Sequence, residues 1–320
     1  MKPPYDITPK ILRLITSVSE KIGEISASLI DRPSPQLRKQ NKIKTIHSSL
    51  RIEGNTLTQE QVTAIIENKK VIGPRKDVIE VKNAVRVYDA LTTFNPFSSK
   101  SFLGAHKLLM NELIDKPGKY RIEGVGIFQG VKMAHIAPPA RNVPQLMDDL
   151  FNYVNNEDEL TLIKSCVFHY EMEFIHPFTD GNGRMGRLWQ TVILMNEYPV
   201  FEFLPFETLI SQTQQEYYDA LAQSDKAGNS TVFIEYMLDV IDKSLNELLR
   251  FNNRIMKDTD RLNYFVSLAK EEFTRKDYMN VFKDISPATA SRDLKKGVEL
   301  DLFSKTGTKN RTVYNLTDQQ

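Results

Sequence analysis

Cysteine is all but missing from this chain, and that scarcity excludes more than it establishes. The single residue, Cys166, has no partner within the sequence, so a disulfide framework is excluded and a reducing compartment is the natural setting. It falls in an apolar helical run and reads as a small buried hydrophobe. Long apolar runs are missing too. None approaches the ~20 residues of a membrane span, and the opening MKPPYDITPK has no continuous apolar segment of the kind a secretory leader needs. A cytoplasmic protein with no membrane contact is therefore expected. Charge of one sign is also lacking: 42 Lys and Arg stand against 41 Asp and Glu, a net charge of +1. The molecule as a whole does not attract polyanions, so any nucleic-acid role would need a local patch. Internal repeats and low-complexity segments are absent.

What remains has an ordinary globular composition, with 41% hydrophobic and 26% charged residues over 320 positions. That length is enough for more than one domain, since domains commonly run about 100–200 residues. Helical periodicity dominates. It predicts helices over 8–30, 36–51, 58–70, 76–91, 101–114, 143–153, 160–174, 188–195, 211–223 and 232–249. Pro33-Ser34-Pro35, Gly54, Gly73-Pro74 and Lys116-Pro117-Gly118 punctuate them. Between Tyr120 and Ile136 the pattern changes to alternation with three glycines, which predicts a short β-hairpin or flap. The polar stretch Arg250–Asp260 reads as a linker or the frayed end of the preceding helix. Beyond it, helices over 262–270, 274–282 and 286–296 precede two short strands around Leu302-Phe303 and 313–316, the pattern of a winged helix. The expected class is mainly α, divided into residues 1–92, 93–250 and 251–320.

One stretch resists explanation by packing. Ile175–Arg187, IHPFTDGNGRMGR, places a histidine, an acid, two glycines around an asparagine, and two arginines between two helices. Gly181-Asn182-Gly183 can turn successive backbone N–H groups toward one point, an anion nest leading into a helix N-terminus. Arg184 and Arg187 share one face of that first turn. Cations there oppose the helix dipole at about 0.3–1 kcal/mol each, so an anion is expected to offset them, and a polyphosphate gripped by two guanidinium groups would do so. Asp180 is placed to hold Mg²⁺ against the same phosphates. His176, with an unperturbed pKa of about 6.5, can take a proton from an attacking hydroxyl.

HPFTDGNGRMGR matches the pattern HxFx(D/E)GNGRxxR at every specified position: His176, Phe178, Asp180, Gly181, Asn182, Gly183, Arg184 and Arg187. On these residues the chain resembles the Fic family, over roughly residues 35–240. The resemblance implies a Fic-type helical bundle with a β-hairpin flap. It also implies transfer of AMP from Mg·ATP to a Ser, Thr or Tyr hydroxyl of a target protein. By motif position, His176 resembles the general base and Asp180 the Mg²⁺ ligand. Gly181, Asn182, Gly183 and Arg184 resemble the phosphate cradle, and Arg187 the arginine on the γ-phosphate. Phe178 would anchor the loop in the core. Gly183 argues against the subgroup with lysine there, which transfers phosphate instead. Within the flap, Ile127 and Met133 are candidates for clamping an extended segment of the target, or else pack on the body. Tyr218 resembles a tyrosine lining the adenine pocket, or is a core aromatic.

Upstream, Ser49-Leu50-Arg51-Ile52-Glu53-Gly54 matches the family's inhibitory pattern (S/T)xxxE(G/N). Glu53 ends its helix, where the dipole disfavours an acid. An ion pair with Arg187 would relieve both helix ends and take Arg187 from the γ-phosphate, with Ser49 one turn earlier able to join. The resemblance further implies homodimerisation in the inhibited state. Two other functions stay open: removal of AMP by the same site, and nucleic-acid-binding regulation through residues 286–317. That tail carries Arg292, Lys295, Lys296, Lys305, Lys309 and Arg311 against Asp293, Glu299 and Asp301, a modest basic excess.

Overall fold

The computed structural model describes residues 2–27, 35–124, 126–129, 132–156, 158–255, 258–268, 272–282, 285–307 and 312–317. For the hairpin strands it describes the backbone alone. The chain packs as two compact units, one of residues 1–22 and 32–244, the other of 23–31 and 245–320. The expected segments 1–92 and 93–250 thus lie mostly in the first unit, with residues 23–31 and 245–250 in the second.

The first unit holds α1 (Pro9–Ala27, whose last residues fall in the second unit), α2 (Pro35–Ile52), α3 (Gln59–Ile66), α4 (Arg75–Asp89) and α5 (Ser99–Leu109). The hairpin β1 (Gly126–Gln129) and β2 (Lys132–Ile136) follows, then α6 (Val143–Val154), α7 (Thr161–Ile175) and α8 (Asn182–Glu197). α9 (Glu207–Gln212), α10 (Gln214–Ala227) and most of α11 (Thr231–Ile255) complete it. None of the described helices is long and apolar enough to cross a membrane.

The helical pattern places most elements correctly, and its misses have local causes. α5 stops at Leu109, five residues before the expected end, because Asn83 Nδ2 donates to the carbonyls of Leu109 (3.2 Å) and Asn111 (2.6 Å). Two carbonyls that would otherwise continue the helix are thereby satisfied. The expected helix over 211–223 is two, broken at Thr213 (φ −113°, ψ 38°), whose hydroxyl pairs with that of Tyr236. Arg250–Ile255 continues α11, the helical one of the two readings of that stretch.

α7 and α8 pack against each other at the centre, and both are buried nearly all round, α8 over its first three turns. That is why α7 shows apolar and small residues on every face rather than one stripe. Below them lies an aromatic core: Phe102 has its ring 5.1 Å from Trp189, 5.6 Å from Phe151, 5.9 Å from Phe168 and 5.4 Å from Phe178. Edge-to-face and offset pairs at such spacings each add about 0.5–1.5 kcal/mol to the burial itself. Trp189 Nε1 donates to Pro96 O at 3.1 Å, so the buried indole loses no hydrogen bond. α2 lies along α3, α4, α8 and α9. It buries polar Asn41, Thr45, Ser48 and Ser49 beside apolar Ile43, Ile46 and Leu50. Asn41 Nδ2 donates to Phe203 O (3.0 Å) and Ser48 Oγ to Thr208 Oγ1 (3.4 Å), which fixes its rotation.

In the second unit the order is α12 (Asp258–Leu268), β3 (Glu272–Phe273), α13 (Arg275–Val281), α14 (Pro287–Glu299), β4 (Phe303–Thr306) and β5 (Val313–Leu316). The antiparallel sheet has the order β3-β5-β4. β3 escapes a periodicity search because two residues show no alternation. Its Phe273 nevertheless packs in an aromatic cluster with Phe265, Phe303 and Tyr314.

Truncating Trp189 to Ala removes the ring that joins α5, α6 and α8. The variant is expected to lose about 3–5 kcal/mol of unfolding free energy. Denaturant titration followed by circular dichroism measures it, because the chain's one tryptophan is the residue removed.

Candidate active site

The loop between α7 and α8 is held by side chains that arrive from elsewhere in the chain. α7 ends at Ile175 because Pro177 cannot continue it. His176 caps it in the left-handed region (φ 50°, ψ 60°) with its N–H on Met172 O at 3.0 Å. A non-glycine residue rarely stays there unless its surroundings hold it. Arg121 does the holding. This buried guanidinium donates to His176 O (2.7 Å) and Ile175 O (3.2 Å), and also to Glu123 O (2.8 Å) and Pro138 O (2.5 Å). It fastens the loop to both ends of the flap segment. The Arg121 N–H adds a bond to Pro177 O at 2.9 Å.

Phe178 is fully buried, stacked on the imidazole of His106 with ring centroids 3.5 Å apart and planes 4° from parallel. Asn182 is buried as well. Its Oδ1 accepts from Phe178 N–H and its Nδ2 donates to Phe178 O, both at 2.9 Å. The Asn182 side chain therefore shapes the loop, and the contribution this residue can make to an anion is its backbone N–H. His106 closes the loop from the other side. Its Nδ1 accepts from Gly118 N–H (2.8 Å), which fixes the proton on Nε2, and Nε2–H donates to Asp180 O (3.0 Å). Gly181 follows at φ 87°, and a Cβ there would sit 2.7 Å from Met110 Sδ.

α8 then begins at Asn182, so the N–H groups of Asn182, Gly183 and Arg184 belong to the first turn, which has no intrahelical acceptors. Arg184 is buried. Its Nη1 donates to Glu80 Oε1 (3.0 Å) and its Nη2 to Asp180 Oδ1 (2.9 Å), and its Nε has no partner among the described residues. Arg187 is completely buried. Its Nε donates to Ser49 Oγ (3.1 Å), its Nη2 to Ser49 O (2.9 Å) and to Glu53 Oε1 (2.8 Å). Its Nη1 is likewise without a partner among the described residues. Burial opposes the charge of Arg187 most strongly, but the Glu53 carboxylate together with Tyr217 and Glu173 outweighs it and holds the guanidinium above its ordinary pKa. The Glu53 carboxylate lies against Gly183: a Cβ on Gly183 would collide with Glu53 Oε1 and stand 3.2 Å from Arg187 Nη1. An acid in the turn just after α2 thus occupies the head of α8, where the dipole and the nest favour an anion.

His176 Nδ1 lies 3.4 Å from Glu173 O. A carbonyl only accepts, so this places the proton on Nδ1 and leaves Nε2 as the accepting nitrogen. Glu173, pushed up to about 7 by burial and by the Glu53 charge, stands 3.5 Å from Tyr217 Oη. Gln214 Nε2 donates to Ile52 O (2.9 Å) and to Tyr218 Oη (3.3 Å), which brings half-buried Tyr218 beside the end of α2. Asp180, Gly181–Arg184, Arg187, Ser49 and Glu53 are thus together, with Tyr218 at the margin. In the flap, Ile127 pairs with His135 and Phe128 with Met133 through the backbone. The side chains of Ile127 and Met133 lie outside the described residues.

At this point comparison with known proteins is informative. A family profile described as Fic/DOC matches residues 96–194. A solved structure of a Fic family protein from Desulfovibrio desulfuricans is 39% identical over 100% of this chain and 99% of that one, with a TM-score of 0.77. The chain belongs to the Fic family. Among curated Fic relatives, a protein adenylyltransferase Fic of Nematostella vectensis is 26% identical over 261 residues, covering 75% of this chain and 58% of that protein. The protein adenylyltransferase fic-1 of Caenorhabditis elegans is 26% identical over 255 residues, covering 76% and 47%. The chain spans about half the length of the curated relatives it matches.

Sequence reasoning missed three residues that this Fic site depends on: Glu80, His106 and Arg121. Glu80 did leave a signal, an acid in the buried stripe of α4 beside Val81, Ala84 and Val87. Asn55 Nδ2 also reaches Glu80 Oε2 (2.8 Å), so the turn after Glu53 touches the acid that holds Arg184.

Burial pushes His106 down to about 4 and His169 down to about 3. The unfolded chain takes up these protons near pH 6.5, the folded chain well below it, so acidification between those values favours unfolding. His106→Gln is expected to flatten the dependence of unfolding free energy on pH between about 6.5 and 4 by close to one proton. Denaturant titrations across that range read the slope, which is separate from any fixed cost of the substitution.

Proposed function

We propose that this protein is an autoinhibited protein adenylyltransferase, transferring AMP from ATP to a hydroxyl side chain of a target protein. The observation that carries the reading is Arg187, a fully buried cation at the head of α8 that is held by Glu53 yet keeps one guanidinium nitrogen unpartnered among the described residues. Buried charges are paired, and a nest of N–H groups with two partly satisfied arginines fits a polyphosphate better than one carboxylate. The adenylyltransferase names of the curated relatives support the same chemistry.

In this reading the triphosphate takes the place of the Glu53 carboxylate. The N–H groups of Asn182, Gly183 and Arg184 bind its oxygens, and Arg187 turns from Glu53 to the γ-phosphate. The target hydroxyl oxygen bonds to the α-phosphorus as the bond from that phosphorus to the bridging oxygen breaks. Pyrophosphate leaves, and the hydroxyl proton passes to His176 Nε2. His176 is held for this by the Arg121 bonds to its carbonyl, since a base must sit within hydrogen-bond reach of its proton.

The donor set also fits Mg²⁺. Among the described residues no group of three or more acids, histidines or cysteines forms a protein cage. A single half-exposed carboxylate, that of Asp180, stands beside the phosphate cradle. Mg²⁺ typically takes one or two carboxylates and completes its shell with phosphate oxygens and water. Asp180 would hold the ion, which when bound neutralises phosphate charge.

Glu53 is the brake. With Arg187 on Glu53 and Ser49, the γ-phosphate lacks its arginine and ATP can bind only unproductively. Glu53→Gly is expected to raise incorporation of label from α-labelled ATP, into a target or the protein itself, at least tenfold over wild type. His176→Ala in that background should lower it by about 10²–10⁴-fold, the usual contribution of a general base. A Glu53→Gly variant as silent as wild type would remove the brake from the account. Loss of label from a pre-modified target, with no incorporation, would assign the reverse reaction.

A further inference from the structure

Three acids of the second unit are engaged within it. Asp293 is fully buried and accepts from Arg261 Nε (2.7 Å) and Tyr278 Oη (3.2 Å). Asp277 closes a capping box with Thr274 at the start of α13. Asp258 pairs with Lys296 at 2.8 Å. On the other side, α14 turns Ser291, Arg292 and Lys295 to solvent while Ala290 and Leu294 face the core. These exposed positions fall three and four residues apart and so form one stripe.

Ser291 and Lys295 of that stripe form one wall of an open groove of about 1190 Å³, and Arg292 stands exposed beside it. The start of α13 (Thr274, Arg275, Lys276) and the sheet (Lys305, Tyr314) form the others. Four cations line it, Arg275, Lys276, Lys295 and Lys305, and among the described lining residues the one acid is Glu299, which Lys295 approaches at 3.7 Å. The polar side chains among them, Thr274, Asn280, Ser291 and Thr312, are the kind that bond to phosphate and base edges. α14 has 13 residues and is therefore about 20 Å long, a rod that a major groove of about 12 Å width admits lengthwise.

We propose that this groove is a docking surface for double-stranded DNA. α14 lies in the major groove, with Lys295 in the groove and exposed Arg292 beside it toward base edges and phosphates. Arg275 and Lys276 at the start of α13, and Lys305 on β4, meet the two flanking backbones. The near-zero net charge of the whole chain does not oppose this, because within a Debye length of about 10 Å a duplex in the groove meets chiefly the cations that line it. A duplex is favoured over an acidic peptide because the cations stand on three separate elements around an open channel rather than along one line; Met279, Val298 and the Tyr314 ring complete the lining.

The test is a gel shift of the 320-residue chain against a 30-base-pair duplex of mixed sequence, at several salt concentrations. Retardation at low salt that weakens steeply as salt rises is expected. Lys295→Ala with Lys305→Ala should weaken binding at least tenfold, and each phosphate-contacting lysine removed should lower the slope of log K against log salt by about 1. Both residues belong to the second unit and the nucleotide site to the first, so AMP incorporation in the Glu53→Gly background, together with the circular dichroism spectrum, should be unchanged and reports that the variant is folded. Absence of retardation at low salt would overturn the proposal. So would binding indifferent to the double substitution, or tighter binding of single-stranded RNA or of a poly-glutamate peptide than of the duplex.

Discussion

A buried arginine must have an anion, and most of this protein is arranged around that requirement. Arg187 lies fully inside the bundle at the head of a helix whose dipole opposes its charge. Leaving such a cation unpaired costs about 3–5 kcal/mol when a deeply buried partner is removed. Glu53 keeps some solvent contact, so the cost here is smaller, but it has the same sign. In the proposed function two anions meet the requirement, the Glu53 carboxylate from within and a phosphate from without, and they compete for one place. Inhibition in that reading needs no separate machinery, since the carboxylate that satisfies the arginine also withholds it.

The loop beside the arginine has a different logic. Its backbone turns through two left-handed residues, His176 and Gly181, and is held there by groups far apart in the chain. Arg121 binds the carbonyls that enter the loop, His106 the carbonyl of Asp180, and Asn182 both polar groups of Phe178. These bonds make the nest rigid before any ligand arrives, so ordering the loop does not draw on binding energy. The fold of such a loop is expected to tolerate change at its half-exposed acid, Asp180, better than at the buried residues that hold its backbone.

How much of this was legible in the sequence depended on distance along the chain. The motif is local, and its dense polar residues between two helices gave away both the nest and the paired arginines. Glu53 was legible through its match to the family's inhibitory pattern, and its place at a helix C-terminus, an electrostatic anomaly matching that of Arg187, supported the pairing. Glu80, His106 and Arg121 left weak signals. Each acts on the loop across 55 or more residues, and a histidine or arginine in an otherwise ordinary segment does not announce the carbonyl it will meet. Likewise β3 was invisible at two residues, and the small net excess of the second unit did not show that Arg275, Lys276, Lys295 and Lys305 line one groove.

The central claim is that Arg187 exchanges one anion for another. A crystal structure of the wild-type and Glu53→Gly proteins, each soaked with ATP and Mg²⁺, tests it most directly. The account predicts that in the variant Arg187 lies within hydrogen-bonding distance of a γ-phosphate oxygen, with the α-phosphate facing His176, while in the wild type Arg187 stays on Glu53 and Ser49. An Arg187 that remains on Ser49 in the variant, with the γ-phosphate bound elsewhere, would contradict it.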